Sequence, residues 1–128
     1  MRHTAAAALA LCASLPAAAC PVAAQDGQRI ESGAVTLAWR AVPQPIKVGA
    51  PFVLLLRLCP ADAQLVALDA TMPEHRHGMN YKPSLSAQGQ GRWRAEGLLW
   101  HMSGRWQLRF EVLQAGTRQA LTHDVTLP

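Results

Sequence analysis

The 128-residue chain is poor in most features that announce a function. It has no tract of Lys or Arg: the formal charge is only +4 and the basic residues are dispersed, which argues against a nucleic-acid partner. Internal repeats, low-complexity stretches and heptads are all missing, so a solenoid or coiled coil is not expected. No Ser/His/Asp, Cys/His or paired-carboxylate set stands out, and an enzyme is not expected either. Cysteine is scarce, with only Cys12, Cys20 and Cys59.

What the chain does have begins at its N-terminus. Arg2 and His3 form a short polar head, Ala5 to Leu15 is an Ala- and Leu-rich run, and Val22-Ala23-Ala24 offers small residues for a signal peptidase. That run is too short for a membrane span, which needs about 20 residues. Residues 1–24 are therefore expected to be a cleavable secretory signal, and the protein to be exported, to a periplasm. Ala17-Ala18-Ala19-Cys20 offers a second reading, a lipobox whose Cys20 would carry lipid and anchor the domain to a membrane. Loss of residues 1–24 removes Arg2 and no acid, taking the charge from +4 to +3. Of the cysteines, only Cys59 would then remain, either buried, paired with another molecule or kept for metal or redox chemistry.

Beyond a flexible segment over 25–34, residues 35–128 read as one domain built from strands. Val35 to Arg40 is β-rich, Val42 to Gly49 is a turn, and Phe52 to Leu58 is an apolar run of strand length. Leu65 to Met72 follows, then a loop over Pro73 to Asn80, a strand over Tyr81 to Ala87 and a turn over Gln88 to Gly91. Arg92 to Leu98 reads as a half-exposed strand, and Ser103-Gly104 as a turn. Trp106, Leu108, Phe110 and Val112 alternate with polar residues, and Ala115-Gly116 turns the chain into Gln119 to Leu127. About seven strands of this kind point to an all-β, immunoglobulin-like antiparallel β-sandwich.

Chemistry concentrates between Met72 and Met102. His75-Arg76-His77-Gly78-Met79 spaces two imidazoles and a thioether at alternate positions, which in an extended segment face one way. His101-Met102 adds a second pair, able to serve the same site only if the chain bends there. A His/Met set without a carboxylate cluster suits copper, above all Cu(I), better than Mg or Ca. The candidate metal ligands are His75, His77, Met79 and His101, with Met102 and Cys59 in reserve; Met72, Trp93, Trp100 and Trp106 read as core.

Asp69 to Tyr81, with its Met-Pro-Glu-His-Arg-His-Gly-Met run, and Gly97 to Leu108, with His-Met-Ser-Gly-Arg-Trp, together resemble the YtkA-like family of small exported bacterial domains. The resemblance covers roughly residues 35–127, and Ser103 stands where Pro is common. It implies a β-sandwich and, through a likeness to FixH-type proteins, a part in assembling copper-containing oxidases. The expected function is a periplasmic copper-binding module, a carrier or assembly factor with an oxidase or its assembly machinery as partner. The alternative is a metal-free interaction domain that docks its Met-Pro-Glu-His loop on a membrane or oxidase partner.

Overall fold

The computed structural model describes Ala13 and residues 22–128. The expected signal thus falls almost wholly outside the described residues, as does Cys20. A short 3-10 turn, Ala24–Asp26, leads into nine strands: β1 Gln28–Ser32, β2 Val35–Val42, β3 Pro51–Cys59, β4 Gln64–Met72, β5 His77–Gly78, β6 Ser84–Gly89, β7 Arg92–Leu99, β8 Gly104–Gln114 and β9 Thr117–Leu127. They form two antiparallel sheets, one in the order β1-β2-β3-β7-β6 and one in the order β5-β4-β8-β9. Within them, β2-β3-β7-β6 against β4-β8-β9 repeats the strand order of an immunoglobulin sandwich.

Alternation in each strand decides which side chains meet between the sheets. Leu37, Trp39 and Ala41 of β2, Phe52, Leu54, Leu56 and Leu58 of β3, and Trp106, Leu108, Phe110 and Val112 of β8 all point inward and are buried. Burying one such Leu or Phe contributes about 1.5–3 kcal/mol, so the interleaved faces dominate stability. The β8–β9 hairpin closes on Ala115-Gly116, both at positive φ (48° and 77°), the turn geometry whose twist matches paired strands.

Three expectations need correction. Segment 25–34, expected to be flexible, contains β1, which pairs with β2 from Gln28↔Trp39 to Ser32↔Val35 across the Gly33-Ala34 turn. Its Ser-Gly dipeptide is a turn signal, but the polar sequence around it hid an edge strand, which has little to bury. The loop over Pro73 to Asn80 contains the two-residue β5, paired with the end of β4. The strand expected over Tyr81 to Ala87 starts only at Ser84, because Pro83 has no N–H to donate to a ladder.

Candidate functional site

One end of the sandwich gathers the singled-out residues. β4 runs to Met72, the chain turns through Pro73 to Arg76, and β5 returns with Met72↔His77 and Thr71↔Gly78 opposite each other. The turn is held by the His75 N–H donating to the Met72 carbonyl (3.1 Å), with Arg76 at φ 53°. Since Met72 faces the core, its cross-strand neighbour His77 is turned to the same side, at the rim rather than the interior. From the other sheet, residues 100–103 cross from β7 to β8 and deliver His101 to the same end.

The result is a row of three imidazoles on an indole floor. Ring centres are 5.7 Å apart for His75 and His77, and 5.3 Å for His77 and His101. His77 and His101 both stand edge-on to Trp106, at 6.3 and 5.7 Å. Trp106 is fully buried and stacked on Trp100 at 5.2 Å, their planes within 3°. Phe52 packs edge-on beneath Trp100 at 5.1 Å. The Trp106 Nε1–H donates to the Met102 carbonyl (3.0 Å), which fixes the bend that presents His101.

Gly104 starts β8 at φ 120°, and a Cβ there would lie 2.9 Å from the Met72 Cε, so the crossover is fitted against the core methionine. A side chain at this residue would both strain the backbone and push Met72.

An ionic brace links the histidine loop to β8 and β9. Arg105 Nε donates to Glu74 Oε1 (2.8 Å) and its Nη1 to Asp124 Oδ2 (2.7 Å), while Gln107 Nε2 donates to Asp124 Oδ1 (3.1 Å). The Arg105 hydrogen bond holds the Glu74 carboxyl below its ordinary value. Those from Gln107 and then Arg105 do the same for Asp124, and the Glu74 and Asp124 carboxylates raise Arg105. The groups are open to solvent, so the brace positions the loop more than it stabilises the fold.

The residues expected as ligands divide accordingly. His75, His77 and His101 come together. Met79 and Met102 are half-buried and packed against the core. Met79 continues the β5 edge, its N–H donating to the Ala70 carbonyl (3.3 Å). Cys59, at the end of β3, is disulfide-bonded. A disulfide sulfur is no thiolate, so Cys59 supplies no metal ligand here, and the expectation of a lone thiol is corrected.

Two imidazoles sharing one ion through bonds of about 2 Å keep their ring centres about 5 to 6 Å apart, the spacing found on both sides of His77. As placed, the rings form a row rather than a closed set: among the described residues no three His, Cys, Asp or Glu side chains are grouped to hold a metal ion. His75 and His101 are exposed, so rotation of two surface side chains would be needed to close it. Sequence reasoning missed two parts of the site, the Trp106 floor and the Arg105 brace. The first was visible as a Trp four residues after His101-Met102; the second depends on a contact between residues 74 and 105 that no local pattern encodes.

Comparison with protein-family models, with curated proteins and with solved structures finds no match.

Proposed function

We propose that the histidine end of the sandwich is a soft-metal site that takes Cu(I), and that the protein is an exported copper carrier or assembly factor for a copper enzyme. One observation carries the reading: His75, His77 and His101 stand 5.3 to 5.7 Å apart in a row over a buried Trp106, delivered by two separate chain segments. Three imidazoles with two thioethers packed close by in the chain, Met79 and Met102, form a donor set of the right softness for Cu(I). The ion is cargo here, and exposure of His75 and His101 leaves it open to a receiving protein such as an oxidase subunit or its assembly machinery. The YtkA-like resemblance of Met72 to Met79 and His101 to Trp106 points the same way.

The test is an anaerobic Cu(I) titration of the full chain against a competing chelator, beside a His75→Ala/His77→Ala variant. Stoichiometric binding that the variant loses supports the reading. Equal binding by both, or none by either, contradicts it and leaves the end of the sandwich as a docking surface for a partner.

A further inference from the structure

A second concentration of charge lies away from the histidines, on the outer face of the five-stranded sheet. There the alternation that buries Leu54, Leu56 and Trp39 turns Arg40, Arg57, Arg92 and Arg94 outward on three neighbouring strands. Arg57 stands directly opposite Arg92, while Arg40 and Arg94 flank Leu55 in the next row. Like charges directly opposite each other on paired strands oppose folding, so this arrangement calls for a counter-charge.

The protein supplies little of it. Arg94 is paired with Glu96 (2.5 Å). Among the described residues Arg40, Arg57 and Arg92 have no carboxylate partner: Arg92 donates only to the Gln90 amide oxygen (3.2 Å), and the buried Arg57 Nε has no acceptor. These three arginines line one hollow of about 240 Å³ with Leu55, Gln88 and Asp26. One Asp26 oxygen accepts the Ala23 N–H (2.8 Å), so the carboxylate is held by its own turn rather than by a guanidinium. Among the described residues, three cations and one anion leave the hollow at +2.

We propose that this hollow binds a phosphate group as its dianion. Its charge balances that of the hollow, and its tetrahedral oxygens can each accept from a different guanidinium fork, with the Gln88 amide as a neutral donor. A single carboxylate would neutralise half the charge and reach fewer of the forks. The phosphate can be free or carried as a monoester headgroup on a lipid.

The experiment follows the thermal midpoint and amide NMR shifts of the full chain while inorganic phosphate replaces chloride at constant ionic strength. Three proteins are compared: wild type, Arg57→Gln/Arg92→Gln, and Arg109→Gln on the outer face of the other sheet. Vesicles of phosphatidylcholine with phosphatidic acid form a parallel arm. The expected result is a saturable response to phosphate in wild type and Arg109→Gln, with affinity at least about tenfold weaker in the double variant. Without phosphate and at low salt, the double variant unfolds no earlier than wild type, because a repulsive pair has been removed; that separates a binding role from a structural one. Vesicle binding through the same arginines, with no response to inorganic phosphate, assigns the phosphate to a headgroup. Equal responses in all three proteins, or no response to phosphate or vesicles, overturns the proposal.

Discussion

Tryptophan and histidine rings meet edge-on at two places in this protein, in different settings. His123, on β9, meets Trp39 edge-on at 5.4 Å; His77 and His101 meet Trp106 edge-on at 6.3 and 5.7 Å. His123 comes from the middle of a long strand, opposite Leu108, where alternation gives each inward side chain an apolar neighbour and no second imidazole. His77 and His101 come from a tight hairpin and a crossover, where two chain segments arrive at one rim and a third ring, His75, joins them. Strand interiors separate like residues, whereas the ends of a sandwich collect them, and the copper proposal rests on the second arrangement alone.

Several substitutions would break or sharpen that contrast. The largest effect is expected from replacing either indole. Trp106→Ala and Trp39→Ala should each cost about 3–5 kcal/mol in denaturant unfolding, since both rings are buried. Only Trp106→Ala should also abolish Cu(I) binding in whatever fraction stays folded. Gly104→Ala should cost about 1–3 kcal/mol, because φ 120° strains any side chain and a new Cβ 2.9 Å from the Met72 Cε makes that buried methionine shift. The same unfolding measurement checks it.

The histidines themselves should separate cleanly. His123→Ala should lower stability by about 1 kcal/mol and leave Cu(I) affinity unchanged. His77→Ala, at the half-exposed rim, should change stability by less than about 1 kcal/mol and remove the metal. The reverse pattern would exchange the roles of the two contacts.

The smallest effect is on pH dependence. The Glu74 carboxyl is held below its ordinary 4.5, first by the Arg105 hydrogen bond. A depressed carboxylate favours the folded form above the ordinary carboxylate range and loses that contribution as pH falls through its lowered value. Arg105→Gln should therefore move the Glu74 titration up toward 4.5 and loosen the His75 loop, both read by NMR titration of the Glu74 carboxyl and His75 ring signals.

The contrast also explains what was legible beforehand. Alternation in Trp106 to Val112 gave away β8, because burial on one face writes a period of two, and the apolar run of Phe52 to Leu58 gave away β3, whose second face is half-covered as well. Edge strands β1 and β5 bury too little to write any pattern, and they were missed. His75, His77 and His101 stood out by composition, but the expected extended geometry was not what joins the first two. A turn with Arg76 at φ 53° sets their 5.7 Å separation, and Met79 packs against the core. Their meeting with His101 depends on which strands share a sheet, a property of the whole topology rather than of either segment.

The most direct test of the central claim follows the four imidazole ring signals of the domain by NMR during an anaerobic Cu(I) titration. The account expects the His75, His77 and His101 signals to shift together and saturate at one equivalent while His123 stays in place. Equal movement of His123, or three rim histidines that do not respond, would contradict it.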